Sequence, residues 1–324
     1  MLAAGWGQET EVVFACGWAE TGERERKMSC STVFDVASLT KVVVTLPIAL
    51  HLLQEGDLEL GTTVADVLFG FAGDGPAERR RVTVEQLLTH TSGLPPYRDY
   101  WKLGLGPAEL AARLVSEPLV ALPGREVVYS DIGFYLVGRV CETVTGRRLD
   151  ELACAWVTSP LGMAETSYGP RLGAEEVAAT EPGPDGKAKV GVVHDETAAA
   201  LGGVSGHAGL FSTAGDLALY LQAWLAPGDR WLARSWREQA CVDRTAALGG
   251  HRGLGWVARG DAYDQLPENW PVTAVSHTGF TGTSLAFDPP SGRWVVLLTN
   301  DVHFGRNRGT IKLLRQAVHR ALAP

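Results

Sequence analysis

The sequence lacks the features of a membrane-inserted, disulfide-stabilised or nucleotide-binding protein. No run of apolar residues reaches the roughly 18 that a bilayer span requires, so we expect no membrane insertion. The five cysteines are odd in number and form no C-x-x-C pair, which predicts reduced thiols in the core. Neither the G-x-G-x-x-G pattern nor the P-loop pattern occurs, so we expect no nucleotide, and the absence of G-x-S-x-G excludes an α/β-hydrolase elbow.

The charge of the chain argues against nucleic acid as a partner. Acidic side chains outnumber basic ones by 37 to 29, which gives a formal net charge of -8. Nucleic-acid binding needs a basic surface, and the three arginines at 79–81 are interpreted as a solvated cluster. The first nine residues carry neither the basic nor the apolar segment of a signal peptide, so the sequence predicts a cytoplasmic protein.

A serine and a lysine three residues apart, Ser38 and Lys41, open an apolar stretch that runs to Leu53. If this stretch is helical, the two side chains lie on one face about 5 to 6 Å apart, so the amine can reach the hydroxyl. The start of a helix disfavours a second positive charge, which favours a neutral amine that can act as a base. The pattern predicts an activated serine nucleophile, although the same spacing also occurs on solvated helix faces.

Two later segments favour the catalytic interpretation. A Tyr-Ser-Asp segment stands at residues 129–131, and a His-Thr-Gly segment at 277–279 follows a predicted strand. Ser-x-x-Lys, then Tyr-Ser-Asn or a close variant, then Lys-Thr-Gly or His-Thr-Gly is the three-part signature of the penicillin-recognising serine enzymes. The chain resembles that superfamily.

The resemblance extends beyond the three motifs. It includes Leu-Leu-Thr-His-Thr-Ser-Gly-Leu-Pro at 87–95, Pro-Leu-Gly-Met at 160–163 and the stretch at 194–213. These blocks resemble the class C β-lactamase-related group of esterases, D-aminopeptidases and amidases over about residues 34–300. Within that group, the segments at 193–196 and 206–209 are most similar to the branch that contains exo-acting N-acetylmuramoyl-L-alanine amidases.

The resemblance implies a β-lactamase/transpeptidase-like fold of the α/β class, in which helices flank an antiparallel sheet and a mainly helical lobe is inserted. We expect a single β-lactamase-like domain over residues 1–324, with an α/β lobe at 1–60 and 250–324 and a helical lobe at 61–249. The pattern of the sequence agrees, because predicted strands fall at both ends and predicted helices lie between them. The catalytic cleft is expected where the lobes meet.

Local patterns predict the individual elements. Strands are predicted at 11–18 and 32–34, followed by a helix from Ser38 to about Gln54 that ends at Gly56. Further helices are predicted at 84–89, 107–115, 133–144, 149–156 and 214–224. Strands are predicted at 253–258, 272–276, 283–287 and 294–298, and a closing helix at 306–323.

The resemblance also implies a role for each residue of the first two motifs. Ser38 is the expected nucleophile, Lys41 is the candidate base, and Tyr129 exchanges protons with Ser38 and the leaving group. The structural alternatives are a helix N-cap, a snorkelling lysine and a buried aromatic side chain. Asp131 stands where asparagine is more usual, and a carboxylate beside Lys41 favours the ammonium, which moves the role of base toward Tyr129.

The third motif is expected to bind the substrate. His277 replaces the lysine of Lys-Thr-Gly and can be neutral at pH 7, which weakens attraction for a substrate carboxylate and argues against β-lactamase activity. Thr278 continues the same strand, and Gly279 lets a ligand lie against it. The backbone N–H of Phe280, together with that of Ser38, forms the expected oxyanion hole.

Four clustered polar residues invite interpretation as a metal site: His194, Asp195, Glu196 and His207. Their spacing matches no zinc signature such as H-E-x-x-H. We therefore expect them to line or brace the cleft, with His207 beside the substrate, and we expect neither a metal nor any other cofactor.

The leading hypothesis is a cofactor-free serine hydrolase that releases an acyl-Ser38 intermediate to water, acting on a small ester or amide such as a muropeptide-type amide. The alternatives are a biosynthetic transacylase that uses the same acyl-enzyme, a β-lactamase or D,D-carboxypeptidase, and a non-catalytic ligand-binding protein. The expected partner is the small-molecule substrate, with neither nucleic acid nor membrane, and we expect a monomer or a homodimer.

Overall fold

The main sheet draws its strands from both ends of the chain. The computed structural model describes residues 1–22, 24–73, 77–183, 186–306 and 309–324. The described strands are β1 (Leu2–Trp6), β2 (Glu9–Phe14), β3 (Trp18–Glu20), β4 (Arg26–Lys27), β5 (Phe34–Asp35), β6 (Ser167–Tyr168), β7 (Leu210–Ser212), β8 (Val257–Ala258), β9 (Val275–Thr278), β10 (Ser284–Phe287) and β11 (Arg293–Leu297). Six of them form an antiparallel sheet in the order β2-β1-β11-β10-β9-β8. Strands β5, β7 and β6 form a second, small sheet, and β3 pairs with β4.

Between the first and last groups of strands, the regular structure is mainly helical. The described α-helices are α1 (Leu46–Glu55), α2 (Val64–Val67), α3 (Val84–Leu88), α4 (Pro107–Val115), α5 (Asp131–Thr145), α6 (Leu149–Ala153), α7 (Ser159–Leu161), α8 (Glu196–Ala200), α9 (Ala214–Leu225), α10 (Arg234–Cys241) and α11 (Gly309–Ala321). Two π-helical segments, Lys41–Thr45 and Cys154–Thr158, continue directly into α1 and α7. The antiparallel sheet with flanking helices agrees with the predicted fold class.

Alternation of side chains along the central strands buries both faces of the main sheet. Leu285 and Phe287 of β10 belong to the large core shared with most of the helices. Ala286, between them in sequence, faces the opposite way into a smaller cluster with Val318 and Leu322 near the end of the chain. The sheet is therefore covered on one face by the large core and on the other by α11.

The helix predicted after Ser38 is confirmed, with one irregular turn. The chain is helical from Leu39, and the turn at Lys41–Thr45 is widened so that the N–H of Leu46 bonds to the carbonyl of Lys41, five residues earlier. The helix ends where Gly56 adopts a left-handed conformation with φ of 81°. The irregular turn lies directly after the proposed nucleophile, as π-turns often do at functional sites.

Glycine conformation explains two of the element boundaries that were predicted wrongly. The strand predicted at 11–18 is two strands of different sheets, because the chain turns between β2 and β3 at Gly17, which has φ of 84°. Only residues 257–258 of the strand predicted at 253–258 are extended, since Gly255 has φ of 75°. Strand β1 was not predicted, and the predicted closing helix begins at Gly309, while residues 307–308 lie outside the described residues.

The prediction that all five cysteines are core thiols is wrong. Cys141 is buried and Cys241 is partly buried, but Cys16, Cys30 and Cys154 are exposed, and all five are free thiols. In the described part of the chain, no helix has the combination of length and apolar character that a membrane span requires.

Candidate active site

Ser38 lies in a tight turn that links β5 to the long helical segment. Ala37, immediately before it, has φ of 48°, a left-handed conformation that costs a non-glycine residue roughly 1 to 3 kcal/mol. The turn is held by Asp35, whose Oδ1 accepts a hydrogen bond of 2.8 Å from the N–H of Ala37. This strained turn leaves Ser38 partly exposed at the floor of a cleft, while its neighbours on both sides are buried.

The side chain of Lys41 is completely buried, donates two hydrogen bonds and forms one ion pair. Its Nζ lies 2.9 Å from Ser38 Oγ, 2.7 Å from Asp131 Oδ1 and 3.0 Å from the carbonyl oxygen of His207. Burial lowers the pKa of Lys41, but the Asp131 carboxylate and the Tyr129 phenol raise it by more, so the pKa lies above its ordinary value. The structure thus favours the ammonium form, contrary to the neutral amine expected from the start of a helix.

Tyr129 completes a cluster with Ser38 and Lys41. Its phenol lies within hydrogen-bonding reach of both side chains, and Lys41 Nζ is 5.0 Å from the centre of its ring. Burial raises the pKa of Tyr129, and Asp131 raises it further, whereas Lys41 and the hydrogen bond with Ser38 lower it. The net result is a pKa above the ordinary value, so the phenol is the resting form at neutral pH.

The start of α5 fixes Asp131 beside Lys41. Ser130 is the N-cap residue: its Oγ accepts a hydrogen bond of 3.0 Å from Gly133 N and donates one of 2.6 Å to the carbonyl of Pro95. The backbone N–H of Asp131 donates to the carbonyl of Pro96 at 2.8 Å. The Tyr-Ser-Asp motif therefore turns its serine into the helix cap and its tyrosine and aspartate toward Ser38 and Lys41.

His277, at the end of β9, is held as a neutral imidazole. Its Nδ1 donates a hydrogen bond of 3.0 Å to the carbonyl of Thr278, so Nε2 carries the lone pair. Burial, and after it the positive charges of Lys41 and Arg252, hold the pKa of His277 well below its ordinary value. Among the described residues, Nε2 has no hydrogen-bond partner.

The end of β9 lies directly against the turn that carries Ser38. A Cβ on Gly279 would stand 2.1 Å from Thr283 Oγ1 and 2.5 Å from the carbonyl oxygen of Val36, so only glycine permits this approach. Phe280, the next residue, is partly exposed and stacks on the ring of His194 at a centroid distance of 5.6 Å. The predicted oxyanion hole at Ser38 and Phe280 is compatible with this placement and stays a prediction.

Two cavities meet at Ser38. The larger has a volume of about 570 Å³ and includes Asp131, Asp195 and His207 in its wall. The smaller has about 290 Å³ and includes His277 and Thr278. Both are lined by a shared set of residues, namely Ser38, Tyr129, Tyr263 and Phe280. A substrate bound across Ser38 can therefore place one substituent in each cavity.

His207 braces the cleft through its backbone and its ring. Its carbonyl accepts from Lys41, its Nδ1 lies 2.7 Å from Ser205 Oγ, and its Nε2 lies 3.0 Å from Asp195 Oδ1. Burial raises the pKa of Asp195, but the His207 ring and the N–H of Ala198 lower it by more, so the carboxylate stays ionised. This pair fixes the wall of the cleft behind Lys41.

His194 belongs to a separate group. Its Nε2 lies 3.0 Å from Glu181 Oε2, and its backbone N–H donates to Asp35 Oδ2 at 2.7 Å. Glu196 pairs with Arg306 at 2.6 Å. The four residues considered as a metal site are thus divided among different partners, and the described residues contain no group of three or more His, Cys, Asp or Glu that could hold a metal ion.

Sequence reasoning missed two residues that shape the site. Asp35 is buried and bridges the Ser38 turn to the His194 loop through its two oxygens; burial raises its pKa. Asp35 could have been found from the sequence, because it is a carboxylate inside the apolar segment Val-Phe-Asp-Val at 33–36. Arg252 is also buried and lines the smaller cavity, and no local pattern marks it.

Comparisons with known proteins agree with this geometry. The Beta-lactamase family matches residues 1–319. The chain is 32% identical over 328 residues to an N-acetylmuramyl-L-alanine amidase of Bacillus subtilis (strain 168), covering 88% of this chain and 71% of that protein. It is also 30% identical over 315 residues to an Escherichia coli (strain K12) protein named provisionally as a D-alanyl-D-alanine carboxypeptidase. That match covers 87% of this chain and 72% of the other protein.

The fold is also that of solved structures. EstCE1, described as a hydrolase with promiscuous acyltransferase activity, superposes with a TM-score of 0.77 at 23% identity, over 98% of this chain and 92% of that one. A penicillin-binding protein from Bacillus halodurans gives a TM-score of 0.73 at 22% identity, over 99% of this chain and 94% of that one. The predicted β-lactamase/transpeptidase-like fold is confirmed.

Proposed function

This chain belongs to the Beta-lactamase family of serine hydrolases, and from that membership we propose that it cleaves a small ester or amide through an acyl-Ser38 intermediate. One observation carries the proposal. Lys41 Nζ donates a hydrogen bond of 2.9 Å to Ser38 Oγ and forms an ion pair of 2.7 Å with Asp131 Oδ1, and the phenol of Tyr129 lies within hydrogen-bonding reach of Ser38 and Lys41. Residues from two motifs that are distant in sequence thus converge on one hydroxyl.

The protonation states favour Tyr129 rather than Lys41 as the group that accepts the serine proton. A lysine held as the ammonium has no lone pair, whereas the phenolate, a minor form at neutral pH, can take the proton as Ser38 Oγ bonds to the substrate carbonyl. The phenol then returns the proton to the leaving oxygen or nitrogen. Water attacks the acyl-enzyme by the reverse route and releases the acid and Ser38. The Lys41 ammonium stabilises the phenolate throughout.

A muropeptide-type amide is the most specific substrate class that we propose. The amidase of Bacillus subtilis supports it through its name and its 32% identity, and the two cavities beside Ser38 leave room for groups on both sides of an amide. β-Lactams and the substrates of D,D-carboxypeptidases carry a carboxylate next to the scissile bond. The neutral His277 in place of lysine argues against both of these activities.

Acyl transfer is the second candidate function. The smaller cavity of about 290 Å³ opens directly beside Ser38 and can hold an alcohol or amine in place of water. EstCE1, which shares the fold, is described as having promiscuous acyltransferase activity. Product analysis with an added alcohol distinguishes the two candidates, because a transferase forms the new ester at the expense of the free acid.

The test of the proposed function is covalent labelling combined with a substrate comparison. Wild-type protein should react with a fluorophosphonate at Ser38, and Ser38→Ala should lose labelling and turnover while keeping its melting temperature. Ser31→Ala, at an exposed serine, is the matched control and should retain both. A p-nitrophenyl ester, a cephalosporin and a muramyl peptide, in which the carboxyl group of the first alanine is in amide linkage, are then compared. Undiminished acylation in Ser38→Ala would contradict the proposal, and a wild-type protein that is never labelled would favour a non-catalytic binding protein.

A further inference from the structure

A buried arginine outside the three motifs packs against the proposed acid-base residue. Arg252 is 1% exposed, and its guanidinium forms a bidentate ion pair with Asp261, with Nη2 and Nε at 2.9 and 3.1 Å from the two carboxylate oxygens. The same carboxylate accepts a hydrogen bond of 2.8 Å from the N–H of Tyr263. One buried aspartate thus fixes both Arg252 and the start of the segment that carries Tyr263.

The guanidinium contacts two tyrosine rings. Its central carbon lies 5.6 Å from the ring centre of Tyr129 and 5.0 Å from that of Tyr263, and the two ring centres are 5.2 Å apart. Within the described chain, the Nη1 atom of Arg252 has no hydrogen-bond partner, although it is buried. A buried donor without a partner is costly, and contact with the faces of aromatic rings is the available compensation.

The charged and titratable groups around Tyr129 come from several elements. Those on the surrounding segments are Lys41, His90, Asp131, Arg252, Asp261, Tyr263 and His277. Burial, followed by the charges of Arg252 and Lys41, holds the pKa of His90 well below its usual range, as it does for His277. The two histidines are therefore neutral, and the positive charges that face the ring are those of Lys41 at 5.0 Å and Arg252 at 5.6 Å.

We propose that Arg252 is a positioning residue that holds the ring of Tyr129 beside Ser38 and supplies a second positive charge that favours the phenolate. Each of the two positive charges is paired with a carboxylate, Lys41 with Asp131 at 2.7 Å and Arg252 with Asp261 at 2.9 Å, so Arg252 adds to the effect of Lys41 on the ring. The inference rests on the proposed function, since it takes Tyr129 as the group that moves the proton. Arg252 acts through Tyr129 and has no contact of its own with the reacting atoms.

The decisive experiment removes the charge while keeping the packing. The double variant Arg252→Gln/Asp261→Asn replaces the ion pair with an uncharged pair of similar size, so that no carboxylate is left buried and unpaired. The rise of kcat/KM with pH for p-nitrophenyl acetate should move to higher pH by roughly 0.3 unit, and kcat/KM at pH 8 should fall about twofold, because the variant removes a negative charge together with the positive one. Arg293→Gln/Glu11→Gln, which removes another arginine-carboxylate pair outside both cavities, should leave the profile unchanged.

A second variant gives the opposite sign and does not require the double variant to fold. Asp261→Asn leaves the charge of Arg252 uncompensated, so the same profile should move to lower pH. Ultraviolet difference titration of each protein against its Tyr129→Phe counterpart reports the ionisation of Tyr129 directly and should move in the same direction. Profiles and titrations that coincide with wild type in both variants would show that Arg252 is only structural. An unaltered acylation rate in Tyr129→Phe would instead contradict the proposed function and leave the packing of Arg252 unchallenged.

Discussion

Replacing Asp131 by asparagine should increase activity at neutral pH, an outcome that is unusual for a residue in contact with the proposed catalytic lysine. Asp131 raises the pKa of both Lys41 and Tyr129, because its negative charge opposes loss of a proton from either side chain. Asp131→Asn removes that charge, so both pKa values fall. The base acts in its deprotonated form, and the limb on which kcat/KM rises with pH therefore moves to lower pH.

The Lys41–Asp131 ion pair gives an upper estimate for the effect of the Asp131 charge on the neighbouring groups. Two unit charges at the observed 2.7 Å attract by about 6 kcal/mol at an effective dielectric constant of about 20. The side chain of Asp131 is 28% exposed, which reduces this interaction, and the asparagine oxygen can still accept a hydrogen bond from Lys41. Opposite charges at such distances shift pKa values by about 1 to 3 units. We expect the limb to move by roughly one unit, with about a tenfold gain in kcat/KM at pH 7.

The assay is the burst of p-nitrophenol release on acylation, followed by stopped flow from pH 5 to 10. Asp99→Asn is the matched control: it removes one negative charge from the rim of the same cleft, where Asp99 pairs with the exposed Lys102. This control should leave the profile in place. A limb that stays at its wild-type position in Asp131→Asn, or that moves to higher pH, would refute the assignment of the proton route.

Three further predictions concern single residues of the cleft. Lys41→Ala should slow acylation by roughly 10² to 10⁴, as for loss of a positioned acid-base partner, and an unchanged burst rate would place proton transfer elsewhere. His277→Lys should raise kcat/KM for a carboxylate-bearing substrate but not for a neutral ester, and an equal response of both would show that the residue does not face the substrate. Gly279→Ala should lower stability by about 1 to 3 kcal/mol and reduce kcat, because its Cβ would overlap Thr283 and Val36; wild-type thermal unfolding and turnover would contradict this.

The sequence was sufficient to predict which residues converge. Ser38, Lys41, Tyr129 and Asp131 lie together as the motifs indicated, because each motif stands at the end of a strand or helix that the hydrophobic pattern also predicts. The helix that follows Ser38 was predicted for the same reason: its apolar run is long and a glycine ends it. The division into lobes, the cytoplasmic location and the oligomeric state stay predictions.

Local sequence patterns could not predict how charges that are distant in sequence affect one another once the chain has folded. The start of a helix predicts a neutral Lys41, whereas Asp131, 90 residues away in sequence, holds it as the ammonium, and this effect was predicted only because the second motif placed a carboxylate beside Lys41. Arg252 was missed because an isolated arginine in a loop carries no pattern, and only folding brings it against Tyr129. Strand β1 was missed because its alanines and glycine have low strand propensity, and pairing with β11 overrides that preference.

The widened turn at Lys41–Thr45 has a consequence for anyone who redesigns or recombines this protein. A π-turn holds one more residue than an α-turn, so deletion of a single residue between Val42 and Thr45 could yield a regular helix of nearly the same composition. A π-turn takes about one residue more than an α-turn to complete a rotation around the axis, so the deletion would leave Ser38 and α1 in nearly the same relative orientation and change only the turn that begins at Lys41. A scheme that idealises backbone geometry would favour this deletion, which keeps the fold but rebuilds the backbone directly after Lys41.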